Sequence, residues 1–329
     1  MMKPNKNISF SNNVRCISTS DIDELAHFQV NKNRRYTQLQ AGHLEGHYLE
    51  VNLGGVQIFR EKLTAGSLIE AAPASSFVPF AAVLCNTQDL NFCGKPVQKN
   101  TILQATGGFW DASFKNNLTF VVAAFNKETF SRDIERLTGQ EVPHEWLVSK
   151  ASPTDPLALN RYAQGLNNII NIIRQHPEIL VKQNALRMLG DIILRLLFEA
   201  LSITTSCAEK QSGKSHRLLG VRRVIDSLHN FCDDEFPTIS ELCHIANLSE
   251  RSLQLAFKEY LGVTPIRYLR LVRLNGVRRD LLTAHPKKER VVDVALNWGF
   301  IELGRFAGEY RQLFQELPST TLNMFNEAG

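Results

Sequence analysis

Arg251, Gln254 and Leu255 lie close together in the chain, and each carries a side chain fitted to a different base edge of duplex DNA. An arginine forks onto guanine O6 and N7, a glutamine pairs with adenine N6 and N7, and an apolar group touches a thymine methyl. Their spacing leaves them on the side of a helix not used by Leu253 and Phe257, which fall four apart and form its buried stripe. The competing reading is a solvated helix face, because helix-turn-helix geometry also serves as plain scaffold.

The elements that must position these residues occur twice. Leu253, Phe257, Leu261 and Pro265 recur as Phe306, Tyr310, Phe314 and Pro318. Each stripe follows a tight turn, Asn247-Leu-Ser249 or Gly299-Phe300, and each turn follows a short amphipathic helix. Thr238 with Glu241 forms a capping box, and Ser249 caps the next helix. Pro265 opens a long helix to Leu282, broken at His285-Pro286, that joins the two modules. Two reading helices about 34 Å apart enter successive major grooves. On the second reader, Glu302, Leu303, Arg305, Gly308 and Arg311 point outward, and only Arg305 is an obvious base reader. Gly308 costs its helix roughly 1 kcal/mol against alanine, which implies close backbone approach to DNA or weak reading there. Trp298 and Phe300, at the second turn, are expected in the core. Ser249, Lys258, Thr264, Arg267, Tyr268, Arg270 and Arg311 are expected phosphate contacts, which position a protein without reading sequence. Ser249 to Arg290 holds ten Lys or Arg against four Asp or Glu, a local excess that the formal net charge of +4 conceals.

The whole chain has 329 residues, which suggests two domains, and 43% hydrophobic residues, ample for real cores. No run approaches the ~18–20 apolar residues that span a bilayer, and the first residues are too polar for a signal peptide. The six cysteines are scattered without C-x-x-C spacing, which argues against a disulfide framework or zinc module and for a reducing cytoplasm. The first half reads as strands. Leu44 to Leu53, Gly54-Gly55 and Val56 to Arg60 form a hairpin signal; Phe77 to Leu84, Leu90 to Cys93, Thr101 to Ala105 and Leu118 to Phe125 follow. Gly94-Lys-Pro96 and Gly107-Gly108 punctuate them, and the pattern predicts a small barrel or jelly roll. Asn126 caps a helix to Leu137 that Gly139 stops; amphipathic helices over Pro156 to Arg174 and Glu178 to Leu201 then pack on a core or form a dimer seam. Thr204 to Ser215 reads as a linker.

Residues 216–322 resemble the DNA-binding domain of AraC/XylS-type transcriptional regulators. The resemblance is carried by Leu261-Gly-Val-Thr-Pro-Ile-Arg-Tyr-Leu-Arg-Leu-Val-Arg-Leu274 and by Val294-Ala-Leu-Asn-Trp-Gly-Phe300 with Phe306, Tyr310, Phe314 and Pro318. It implies base-reading positions at Arg251, Gln254 and Leu255, then at Leu303, Gly304, Arg305 and Gly308. The second set departs from the family's usual polar residues, and Glu316-Leu-Pro318 departs from its common Gly-x-Ser/Thr-Pro ending. Leu39 to Gly46 and Leu53 to Glu61 are similar to regulators of the ethanolamine-utilisation type, which implies a cupin-like sensor.

The expected architecture is therefore α+β: a cupin-like β-barrel or jelly roll over about 35–125 with helices over about 126–203, a linker at 204–215, and an all-α domain at 216–322. Helix-turn-helix motifs are expected at about 238–261 and 290–314. The expected function is a sequence-specific DNA-binding regulator, controlled by a small molecule in the N-terminal half. Its partners are double-stranded DNA, a second copy of the chain, and RNA polymerase if it activates, with no membrane. Two alternatives stay open: a cupin-type metal enzyme with an accessory DNA-binding half, and a ligand-independent regulator whose N-terminal half only dimerises. His43 and His47 would share a strand face, but the His-x-His spacing of cupin metal sites is absent, so no metal or cofactor is expected. Cys85 and Cys93 lack an activating neighbour in sequence, and no phosphate-binding glycine loop appears, so no catalytic residue is expected.

Overall fold

The computed structural model describes residues 13–29, 32–72, 76–84, 89–105, 109–139, 141–142, 146, 150–202, 214–229, 236–285 and 288–324. Most of the 204–215 stretch lies outside them, as do Cys85, Gly107, Gly108 and Pro286. The chain forms two compact units. One comprises Met1–Tyr36, Leu44–Ala65 and Ile69–Cys207; the other comprises Thr37–His43, Gly66–Leu68 and Ala208–Gly329.

The N-terminal half supplies twelve strands among the described residues: β1 (Val14–Thr19), β2 (Arg34–Gln38), β3 (Gly46–Asn52), β4 (Val56–Leu63), β5 (Ser67–Ala71), β6 (Phe77–Val83), β7 (Asn91–Phe92), β8 (Lys95–Pro96), β9 (Thr101–Gln104), β10 (Trp110–Ser113), β11 (Leu118–Asn126) and β12 (Lys150–Pro153). Its helices are α1 (Ile22–Phe28), α2 (Lys127–Thr138), α3 (Pro156–Gln175) and α4 (Gln183–Ser202). Seven strands form one sheet in the order β1-β3-β4-β11-β6-β9-β12, and five form another in the order β2-β5-β10-β7-β8. A small barrel or jelly roll was the expectation, and the strands form two sheets that are not closed into a barrel. Among the described residues no ladder joins the two sheets, and β1 and β12 are the end strands of the larger one.

The hairpin forms as its glycines require. Asn52 pairs with Gln57 and Gly46 with Leu63, and Gly54 takes φ 86° in the turn. Strand β11 is apolar on both faces because both are covered. Val121, Ala123 and Phe125 face the core shared with α3 and α4, while Phe120, Val122 and Ala124 face the core shared with the smaller sheet. Side-chain alternation along a strand sends successive residues to opposite layers. Asn126 caps α2, its side chain accepting from the Glu128 and Thr129 N–H groups, and Gly139 ends that helix at φ 69°.

The C-terminal half is helical throughout its described residues: α5 (Lys214–His229), α6 (Ile239–Ala246), α7 (Glu250–Leu261), α8 (Pro265–Thr283), α9 (Val291–Asn297), α10 (Leu303–Phe314) and α11 (Pro318–Asn323). One apolar core runs through it, from Val221 and Val224 to Phe314 and Leu322.

Candidate nucleic-acid interface

Both modules are built from local signals. Thr238 and Glu241 complete the capping box at the head of α6. Asn247 then turns the chain at φ 52°, a left-handed conformation that asparagine tolerates better than most residues, and Ser249 caps α7 through the Ser252 N–H. Gly262 closes α7 at φ 72°. Thr264 caps α8, with Pro265 in the first turn where its missing N–H costs nothing. In the second module Gly299 makes the turn at φ 71°. Neither Arg290 before α9 nor Glu302 before α10 supplies a side-chain cap.

The repeated stripe is the buried face in both cases. Leu253 and Phe257 are wholly buried, and Leu261 and Pro265 are buried with them; Phe306, Tyr310, Phe314 and Pro318 are their counterparts. Phe257 stacks near Tyr268, and Phe306, Tyr310 and Phe314 form a run of ring contacts. The opposite faces are open. Arg251, Gln254, Leu255 and Lys258 are exposed on α7, and Gly304, Arg305, Gly308 and Arg311 are exposed on α10. Ser249 is exposed, and Thr264 and Arg267 are half-buried.

The readers are held differently. Gln254 leans on Glu250 at 3.1 Å, and Arg251 and Leu255 rest on an open face. Arg305 is engaged: its Nε donates to Glu309 at 3.0 Å and its Nη1 lies 3.6 Å from Glu302. Those two carboxylates raise its pKa, Glu309 first. Leu303, in the first turn of α10, is half-buried against the core and partly open to solvent. The glycines at 304 and 308 have open space where a Cβ would stand.

Two phosphate expectations also change. Tyr268 is fully buried against Phe257, so no phosphate reaches it. Arg270 is turned inward and donates to Glu309. Thr264 accepts from the Arg267 N–H, as Ser249 accepts from the Ser252 N–H, and keeps its O–H to donate. The basic excess of α8 is thus partly internal. Arg273 Nε donates to the Trp298 carbonyl at 2.6 Å and its Nη2 to the Gly299 carbonyl at 2.5 Å, bracing the second turn. Burial, then Arg270, lowers its pKa from the usual arginine value. Arg278 forms a buried ion pair with Glu316 at 3.1 Å. Sequence reasoning missed these braces because charge counting does not say which way a guanidinium points. Trp298 fills the space above Gly276, where a Cβ would come within 2.2 Å of the indole, and its Nε1 donates to Asp280 at 2.6 Å. Phe300 is buried.

Among the described residues no group of three or more His, Cys, Asp or Glu is placed to hold a metal. His47 bonds Ser18 Oγ at 2.9 Å, and His43 is exposed. No helix among them is long and apolar enough to cross a membrane.

Comparison with known proteins agrees with this geometry. A family model described as a helix-turn-helix domain matches residues 242–324. A probable thc operon regulatory protein of Rhodococcus erythropolis is 41% identical over 102 residues, 31% of this chain and 30% of that protein. The XylDLEGF operon transcriptional activator 2 of Pseudomonas putida is 40% identical over 87 residues, 26% of this chain and 55% of that protein. The crystal structure of the AraC-like transcriptional activator CuxR aligns over 86% of this chain and 99% of its own at 11% identity, with a TM-score of 0.41. The C-terminal unit is a double helix-turn-helix DNA-binding module. Over this module the chain is similar to operon regulators of the AraC/XylS type. The alignments span between about a third and about half of the two curated relatives' lengths.

Proposed function

We infer that the chain is a sequence-specific transcriptional regulator, with residues 216–322 binding double-stranded DNA and residues 1–203 sensing a small molecule. The observation that carries the reading is the pair of like-built helices α7 and α10, each with its stripe buried and its opposite face open. Arg251, Gln254 and Leu255 read one major groove, and Arg305 with the bare backbone at Gly304 and Gly308 meets the next. Ser249, Lys258, Thr264, Arg267 and Arg311 contact phosphates. The names of the relatives, operon regulator and transcriptional activator, support the same reading, with RNA polymerase as partner where the chain activates. Met188 and Ile192, one turn apart and exposed on α4, supply an apolar seam for a second copy.

Selection of bound duplexes from a random pool by the full chain tests the proposal. The expected site has two elements one helical turn apart, with stronger base preference in the element read by α7. Binding with no preferred sequence refutes it.

A further inference from the structure

The two modules differ at the head of the second helix. In the first, Leu248 packs on the core and Ser249 caps α7. An apolar residue just ahead of a cap commonly packs against the fourth residue of the helix it introduces. In the second module those two positions hold Ile301 and Glu302. Phe306, the fourth residue of α10, is buried against Phe300, with ring centres 4.9 Å apart. Ile301 stands outside that stack. It is 85% exposed, more than any other large apolar residue among those described. Glu302 supplies no side-chain cap. Ile301 therefore does no packing that its own fold requires.

A lone apolar residue on a surface is ordinary. What singles out Ile301 is where it stands and what stands beside it. The N-terminal end of a reading helix is the part that meets base edges. On α10 that end offers little else to a base. Leu303 is half-buried, Gly304 has no side chain, and Arg305 is held between Glu309 and Glu302. Gly308, one turn on, is bare as well and has open space beside it. A helix without side chains at 304 and 308 can approach the base pairs closely, and Ile301 leads its head.

The chemistry of the side chain selects its target. The major-groove edges carry donors and acceptors at every pair and one apolar group, the 5-methyl of thymine. An aliphatic group pressed on a donor or acceptor strips its water and returns no bond. Pressed on the methyl, it takes two apolar surfaces out of water together. A carboxylate would act on cytosine N4 instead, but Glu302 leans towards Arg305 at 3.6 Å.

This step rests on α10 being a DNA-contacting helix. We propose that Ile301 is a specificity-determining residue that reads a thymine 5-methyl group in the element of the site met by α10.

The test uses the full chain and the duplex that selection yields. Each thymidine of the site is replaced in turn by deoxyuridine, which keeps every donor and acceptor and removes only the methyl. Affinity is measured by fluorescence anisotropy for the wild type and for Ile301→Ala. Thermal melting of both proteins checks the fold, which an exposed side chain should not disturb. In the α10 element, one or two replacements are expected to weaken the wild type about three- to fivefold, the factor that burial of one methyl supplies. Ile301→Ala is expected to bind the thymine duplex more weakly by a similar factor and to ignore the same replacements. Ile301→Val, which keeps a branched aliphatic group, is expected to retain part of the sensitivity. Replacements in the α7 element are expected to weaken both proteins alike. A wild type that ignores every replacement in the α10 element, an α10 element selected without thymine, or equal sensitivity in Ile301→Ala overturns the proposal. So does an Ile301→Ala loss of the same size on scrambled DNA. Failure of the DNA-binding reading is distinguishable, because the α10 element would then show no protection in a hydroxyl-radical footprint. Protection there without a methyl effect refutes the role of Ile301 alone.

Discussion

Arg273→Met isolates the brace under the second turn. The native guanidinium makes two hydrogen bonds to main-chain carbonyls, at 2.6 Å and 2.5 Å, and lies 5.1 Å and 5.0 Å from the ring centres of Phe236 and Phe300. Hydrogen bonds from a charged donor contribute ~1.5–3 kcal/mol each, and cation–π contacts add roughly 0.5–1 kcal/mol at partly exposed sites. Methionine keeps much of the stem's packing. The bond to Gly299 is exposed, so water replaces part of what is lost. The net expectation is ~2 kcal/mol. At roughly 4–8 °C per kcal/mol for a small domain, the transition of the C-terminal unit should fall by ~10 °C. The turn it braces orients α10, so the footprint on DNA should shrink at the element read by α10 and persist at the element read by α7. Calorimetry and hydroxyl-radical footprinting of the full chain measure the two effects. An unchanged melt together with a full-length footprint would show that the brace carries no weight.

Arg251→Ala should cost ~1–3 kcal/mol on the selected site and relax preference at one base pair; equal weakening on scrambled DNA would make Arg251 a phosphate contact. Lys258→Gln or Arg267→Gln should reduce the slope of log affinity against log salt by about one, whereas Arg270→Gln should leave it near wild type because Arg270 is tied to Glu309. Gly308→Ala should stabilise α10 by ~0.5–1 kcal/mol, since nothing lies within 4 Å of the added methyl, while weakening DNA binding if the backbone abuts the groove. Unchanged affinity removes Gly308 from the interface. Glu241 has its pKa lowered by the Thr238 backbone and side-chain hydrogen bonds. Its stabilising contribution is therefore present above the unfolded value of ~4.3 and lost as pH falls through the lower folded value. Glu241→Gln should flatten that acid-side decline, and an identical pH profile would exclude the capping box as its source.

Local signals carried most of what the sequence made legible. The Asn126 cap, the Gly54-Gly55 hairpin and the Thr238–Glu241 box each involve residues within a few positions, and each forms where expected. The two stripes were equally legible because four-residue spacing marks one helical face. What escaped depends on contacts distant in sequence. Whether strands close into a barrel is decided by which edges pair, and β2, β5, β10 and β12 lacked a clear enough alternation to be expected as strands. Arg270, Arg273 and Arg278 were indistinguishable from surface cations until Glu309, the Trp298 and Gly299 carbonyls and Glu316 were placed opposite them. Tyr268 was legible as a polar residue near the interface, but its burial against Phe257 was not.

The uneven anchoring of the two outer faces bears on how such a chain changes over generations. Arg251 and Leu255 stand on an open face, and Gln254 bonds only Glu250, so exchanging them disturbs little of the fold. Arg305 shares Glu309 with Arg270, so replacing it also unsettles a joint between α8 and α10. New target preferences therefore have an easier route through one half of the recognised site than through the other, and diverging relatives should keep the second half comparatively constant.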